Sequence, residues 1–284
     1  MDQRIINLYD EYIHSPVMSR ADFLKRVTMI TGSLALTQTV LSQIENDYAK
    51  PVRTSAEDLF TEYINYPGVP NQMKAYIARP KEEKKYPAVI VIHENRGLNA
   101  HIEDVARRAA TAGYLAIAPD ALSALGKTFA NEDEARTSFR ELKNEDNLKN
   151  FIGAFEYLKT RKDFDGNAGC VGFCWGGAMS NNLAVNLPGL KAAVAFYGRQ
   201  PSAEEVARIK AAVQLHYGSL DQGVNAGIPA YEAALKANKV EYELYMYEGA
   251  NHAFHNDTSA ARYNEQAAKL AWQRTLEFFK KHLT

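Results

Sequence analysis

The chain has little cysteine: two residues in 284, Cys170 and Cys174. That excludes a disulfide scaffold and a cysteine-rich zinc module as the basis of the fold. It also lacks an excess of either charge. Lys and Arg number 33 against 34 Asp and Glu, a formal net charge of −1. Nothing in that balance suggests a nucleic-acid surface or a polybasic membrane patch. No run is long and apolar enough to span a bilayer, which takes ~20 mostly apolar residues. The longest uncharged stretch near the N-terminus, Val27 to Ile44, is broken by nine Thr, Ser, Gln and Gly residues. No repeat recurs at solenoid periods. What the chain does have is 46% hydrophobic and 11% aromatic residues, enough for a large core and incompatible with disorder.

Two textures divide the sequence. Residues 1–55 read as a helical N-terminal extension, with helices expected over Asp2–Ile13 and Ala21–Ile44 and with Pro16 and Pro51 as punctuation. Ser19-x-x-Asp22 is a capping box, and Phe23, Val27, Ile30, Leu34, Leu41 and Ile44 recur as one apolar helix face. The segment from Ser19 to Lys25 resembles a twin-arginine export signal, but the second arginine and a clear cleavage site are missing. A structural helix in a cytoplasmic protein is the expectation, with export as the alternative.

Residues 56–284 read as one α/β domain. Short β-like runs at Leu59–Asn65 and Gln72–Ala78 flank a Tyr66-Pro67-Gly68 turn. Continuous apolar runs follow at Ala88–His93, Tyr114–Ala118, Ala168–Phe173, Ala192–Tyr197 and Ala212–Tyr217, then Tyr242–Tyr247. Helical segments separate them: Ile102–Ala112, a long region Glu132–Arg161, Ala178–Asn186, Glu204–Lys210, Pro229–Asn238 and Glu265–His282. Alternation of this kind predicts a mostly parallel central sheet with helices on both faces.

Gly172-Phe173-Cys174-Trp175-Gly176-Gly177 joins a predicted strand to a predicted helix. That is the context of a nucleophile elbow, in which residues two before and two after the nucleophile crowd a tight, strained turn and must be small. A cysteine there sits at a helix N-terminus, where free N–H groups favour a thiolate. Cys170 lies mid-strand and reads as a buried structural thiol; four strand residues place it ~13 Å from Cys174, too far for a disulfide. That speaks against a dithiol redox protein. The partners expected of an elbow follow in the order acid, then histidine. Asp221 lies just past one predicted strand and His252 just past the next, at the sheet edge where α/β folds carry their chemistry. His14, His101, His216 and His282 receive no role, and His255 at most a place near the pocket. His252-x-x-His255 lacks the spacing of a zinc protease helix, and adjacent His93 and Glu94 on an extended segment point opposite ways, so no metal ligand set is read.

The elbow, the loop Ile92-His93-Glu94-Asn95-Arg96-Gly97, the Asp221 loop and Tyr247-Glu248-Gly249-Ala250-Asn251-His252-Ala253-Phe254 together resemble the dienelactone hydrolase (carboxymethylenebutenolidase) family of the α/β-hydrolase superfamily. The resemblance covers roughly residues 58 to 284. It implies a carboxylic ester hydrolase in which Cys174 forms an acyl-enzyme, His252 is its base and acid partner, and Asp221 orients His252. It implies that Glu94 receives the thiol proton, and that the backbone N–H groups of Trp175 and Asn95 form the oxyanion hole. No metal or organic cofactor is implied, and the partner is a small lactone or ester rather than nucleic acid or membrane. Two departures stand out. The family's arginine four residues after the histidine is Asn256 here, and Arg136 only loosely matches a second family arginine. Arg96, Arg136 and the pocket-wall residue Tyr197 are the substrate-binding candidates. A broad esterase or thioesterase without lactone preference, and a non-catalytic binding member of the fold, are the alternative readings.

Overall fold

The computed structural model describes residues 1–15, 17–45, 47, 53–129 and 132–284. Pro16 and Pro51, expected to punctuate the extension, lie outside the described residues. The chain opens with α1 (Gln3–His14), α2 (Arg20–Thr31) and α3 (Leu34–Ile44), then β1 (Leu59–Tyr66), β2 (Met73–Pro80) and β3 (Tyr86–Ile92). Next come α4 (Ala100–Thr111), β4 (Leu115–Asp120), α5 (Glu132–Ser138), α6 (Asn144–Thr160), β5 (Phe164–Phe173) and α7 (Trp175–Asn186). The chain closes with β6 (Ala192–Phe196), α8 (Ala203–Val206), β7 (Ala212–Gly218), α9 (Gln222–Asn225), α10 (Ile228–Ala237), β8 (Tyr242–Tyr247) and α11 (Glu265–Leu283).

All eight strands form one sheet in the order β1-β2-β4-β3-β5-β6-β7-β8. β1 and β2 pair antiparallel, as do β2 and β4; the remaining pairs are parallel. The central strands carry buried side chains on both faces, for example Val89, Ile90, Val91 and Ile92 of β3 and every residue of β6. Alternate residues supply two cores, one per face: Ala88, Ile90 and Ile92 face one, Val89 and Val91 the other. That double burial is why these strands read as unbroken apolar runs.

Three local expectations are corrected. Ala21–Ile44 is two helices, because Gly32 takes a left-handed conformation (φ 76°) that ends α2 and Ser33 caps α3. The region Glu132–Arg161 is also broken. α5 gives way to a single 3-10 turn at Phe139–Glu141, and Leu142 and Lys143 are extended before α6. The helix expected at Glu204–Lys210 is confined to Ala203–Val206.

The N-terminal helices pack together around Phe23 and Val27, both fully buried, with the Tyr12 ring stacked on Phe23 at 4.6 Å. The Ser19 capping box is formed. Polar contacts tie these helices to the rest of the chain at several points. Asn95 Nδ2 donates to the Ile13 carbonyl (3.1 Å), Arg140 to the Ser15 carbonyl (2.6 Å) and Ser259 Oγ to the Ile44 carbonyl (3.0 Å). Among the described residues no helix is long and apolar enough to cross a membrane.

Candidate active site

β5 ends in the sharp turn anticipated for the elbow. Cys174 sits at φ 55°, ψ −113°, a strained conformation for a residue with a side chain, and its N–H bonds to the Phe196 carbonyl at 3.0 Å. The glycines are obligatory in space. A methyl on Gly172 would lie 1.8 Å from the Gly176 carbonyl oxygen, and one on Gly176 2.3 Å from that of Ile92. The helix after the turn starts at Trp175, earlier than expected, so Cys174 is its N-cap residue and Sγ stands at the positive end of α7.

Asp221 and His252 meet at the carboxyl edge of the sheet. Asp221 Oδ2 accepts from His252 Nδ1 at 2.6 Å, while Oδ1 accepts from the Val224 N–H and caps α9. The two oxygens thus serve two roles, one capping the helix and one holding the histidine. Because a carboxylate only accepts, Nδ1 carries the proton and Nε2 is turned towards the cavity. His252 Nε2 is buried and makes no hydrogen bond. Burial disfavours the charged form of His252, but the negative charges of Cys174 and Asp221 outweigh it and hold the imidazole well above its usual range. Burial likewise raises the Cys174 thiol; the charges of His14 and His252 reverse this and bring it down to about 6. Burial raises Asp221, but the charge and hydrogen bond of His252, together with the Val224 N–H and His14, lower it overall, and it stays ionised.

The residue that sequence reasoning missed is His14. Its Nε2 lies 3.1 Å from Cys174 Sγ, and its ring packs edge-on against His252 with centroids 4.9 Å apart. The other ring nitrogen, Nδ1, is 2.7 Å from the Asp10 carbonyl one turn back on α1. The only signal in the sequence was that His14 ends an amphipathic helix, which gives no direction in space. His14, Cys174 and His252 are also the one cluster among the described residues whose donor atoms converge as metal ligands would, all within 4.8 Å of one another.

Glu94 is buried, and its carboxylate is held by Asn256 and the cavity-lining Tyr197. Oε2 accepts from Asn256 Nδ2 at 2.8 Å and Oε1 from Tyr197 OH at 3.4 Å. Among the described residues no hydrogen bond joins Glu94 to Cys174. Asn256, at the position of the missing arginine, is therefore engaged in holding Glu94. The neighbouring His93 fixes this loop, with Nδ1 on the Glu94 carbonyl (2.5 Å) and Nε2 accepting from the Ala121 N–H (3.0 Å).

The expected substrate-binding arginines are met by the extension. Arg96 donates to Tyr9 OH at 3.1 Å, and Arg136 donates to Tyr12 OH at 2.6 Å and stacks over the Tyr12 ring at 4.4 Å. A third arginine, Arg262, is 2% exposed, bonds Asp10 at 3.2 Å and lies 4.9 Å over the Tyr9 ring. The cavity in front of Cys174 measures about 800 Å³. His14, Asn95, Arg136, Trp175, Tyr197 and His252 contribute to its walls; Arg96 does not. Cys170 is fully buried and bonded to Ser180 Oγ at 3.0 Å, and burial pushes its thiol up to about 12. His255 is packed flat on Phe173 and kept neutral by burial.

Comparison with known proteins agrees with this architecture. The family model described as "Dienelactone hydrolase family" matches residues 73–283. A protein of Saccharolobus solfataricus named "Putative carboxymethylenebutenolidase" is 31% identical over 74% of this chain and 94% of its own length. One of the same name from Methylorubrum extorquens is 30% identical over 91% of this chain and 94% of its own, so that match reaches into the N-terminal extension. A crystal structure titled as a putative dienelactone hydrolase from Klebsiella pneumoniae superposes with a TM-score of 0.71 at 30% identity, covering 79% of this chain and 99% of that one. The chain belongs to the dienelactone hydrolase family of α/β-hydrolases, a family of carboxylic ester hydrolases.

Proposed function

We propose that the protein hydrolyses a small lactone or carboxylic ester through an acyl-enzyme on Cys174, with His252 and Asp221 completing the triad. The observation that carries this reading is the Asp221–His252 hydrogen bond of 2.6 Å, which turns Nε2 of His252 towards the sulfur on its elbow. The Cys174 thiolate attacks the carbonyl carbon; the C–S bond forms as the carbonyl π pair moves to oxygen. The N–H groups of Trp175 and Asn95 would receive that oxyanion, each such donor being worth ~3 kcal/mol of barrier. His252, held as the imidazolium between Asp221 and the resting thiolate, gives its Nε2 proton to the alkoxide that collapse expels and is left neutral. His252 then removes a proton from water, the hydroxide attacks the thioester, and the C–S bond breaks to restore the thiolate.

A second reading concerns breadth. Arg96 and Arg136 are engaged by phenols of the extension, and Asn256 is engaged by Glu94. This supports an esterase that does not require a carboxylate on its substrate. Turnover of nitrophenyl acetate and of a cis or trans dienelactone by wild type, lost in Cys174→Ala, is the expected result. Ester turnover without lactone turnover would select the broad esterase. Unchanged turnover in Cys174→Ala would remove the mechanism. The burial of Phe23 and Val27 against α1 supports the extension as a structural part of a cytoplasmic protein rather than an export signal.

A further inference from the structure

We propose that the N-terminal extension is part of the catalytic centre: α1 delivers His14 to Cys174 as a second imidazole that keeps the resting sulfur ionised and leaves His252 free to move protons. This rests on the reading of Cys174 as the nucleophile.

The geometry divides the work between two histidines. The well-aligned hydrogen bond of Cys174 Sγ goes to His14 Nε2, at 3.1 Å; His252 Nε2 faces the same sulfur from within 4.8 Å and adds its charge there. A carbonyl oxygen cannot donate, so the bond to Asp10 places a proton on His14 Nδ1 and leaves Nε2 to take the one from the thiol. The thiol proton passes to His14 Nε2, giving thiolate and imidazolium, with no other reactant.

Two helix ends favour that charge separation. His14 lies in the last turn of α1, where the dipole favours a cation, and Cys174 caps the first turn of α7, where it favours an anion. α1 is fixed at both ends: Gln3 bonds Asn251, the residue before His252, and the Ile13 carbonyl accepts from Asn95, a candidate oxyanion donor. Between them Asp10 pairs with buried Arg262. The arrangement fills, beside the sulfur, the place that the family resemblance gives to Glu94, whose carboxylate here is held by Asn256 and Tyr197. During acyl transfer the sulfur is covalently bonded and His14 keeps its proton; when the thioester breaks, the returning electron pair again faces that N–H.

The charged and titratable groups around the pair are Asp10 and Glu11 on α1, His252 with Asp221 behind it, Tyr197 with Glu94 beneath it, and Arg136, Arg140 and Arg199 in the cavity wall. The test is the pH dependence of iodoacetamide alkylation of Cys174 in the full chain, in buffer with a chelator, checked by thiolate absorbance. Wild type is expected to titrate near about 6. His14→Ala and His14→Gln are each expected to move the midpoint upward by about one pH unit or more, a ~10-fold loss of thiolate on the acidic limb. His252→Ala is expected to lose ester turnover and also to raise the midpoint, since its charge lowers the thiol too, yet to keep an alkylatable sulfur through His14. A folded His14→Ala or His14→Gln protein whose curve superimposes on wild type would overturn the proposal; a purely structural His14 would lower the melting temperature and leave the curve in place. Alkylation reports the thiol whether or not any ester is turned over. A shifted curve in a protein that hydrolyses nothing would refute the hydrolase reading and keep the assignment of His14.

Discussion

Replacing Asp221 by asparagine isolates one hydrogen bond. The change is isosteric, and the two oxygens of Asp221 do different things. Oδ1 caps α9 through the Val224 N–H, and asparagine caps as well as aspartate, so the fold should lose less than ~1 kcal/mol. Oδ2 holds His252 Nδ1–H at 2.6 Å. An asparagine amide facing that nitrogen either donates to it, which moves the ring proton to Nε2, or rotates and leaves its own N–H against the cap. In the first case Nε2 meets the sulfur as a donor and cannot take a proton from water. The imidazolium also loses its counter-charge in a site that is almost fully buried. Loss of the corresponding aspartate in triad hydrolases costs about 10⁴-fold in kcat, or about 5.5 kcal/mol of barrier. Because His14 still faces the sulfur, Cys174 should stay alkylatable in Asp221→Asn while turnover of nitrophenyl acetate falls by that order. A melting temperature within a few degrees of wild type would show that the fold is intact. Turnover within about threefold of wild type would refute the argument, since no reading of this geometry makes the bond dispensable.

Other substitutions probe separate parts of the site. Gly176→Ala sets a methyl 2.3 Å from the Ile92 carbonyl oxygen and 2.5 Å from that of His93; both are backbone, so a stability loss of ~1–3 kcal/mol and loss of turnover are expected in thermal unfolding and esterase assays. Turnover should fall on acidification through about 6, as the Cys174 thiolate takes up its proton; a kcat/KM profile flat from pH 5 to 7 (roughly, one unit either side of that value) would contradict it. Glu94→Gln should leave the alkylation curve within about threefold, because the carboxylate faces Asn256 and Tyr197; a large slowing would instead make Glu94 the acceptor of the thiol proton. Phe23→Ala removes a fully buried ring stacked on Tyr12. It should weaken the packing of the extension by ~3–5 kcal/mol, seen as faster proteolysis within α1 to α3 and reduced turnover.

Strands β3 and β6 were legible because they are buried on both faces and, from Ala88 to Ile92 and from Ala192 to Phe196, carry only Val, Ile, Ala and Phe. The elbow was legible because its glycines answer to contacts of 1.8 and 2.3 Å that permit no side chain. Asp221 and His252 were legible because the strand pattern fixed their loops to one edge of the sheet. Helix breaks were not: Gly32 and the Leu142-Lys143 interruption sit inside otherwise good helical patterns, where tertiary packing decides. His14 was illegible for a different reason. Its meaning depends on where an entire helix docks, 160 residues away from its partner in the chain. The same docking explains the arginines. Arg96, Arg136 and Arg262 find their partners in Tyr9, Tyr12 and Asp10, a relation between two distant segments that no local pattern encodes.

The central claim is that Cys174 carries the acyl group. Rapid quenching of the protein with nitrophenyl acetate, followed by peptide mass spectrometry, measures this directly. One acetyl group on the peptide containing Cys174, absent in Cys174→Ala, is the predicted result. Steady turnover with Cys174 unmodified, or with the acetyl group on another residue, would contradict the account.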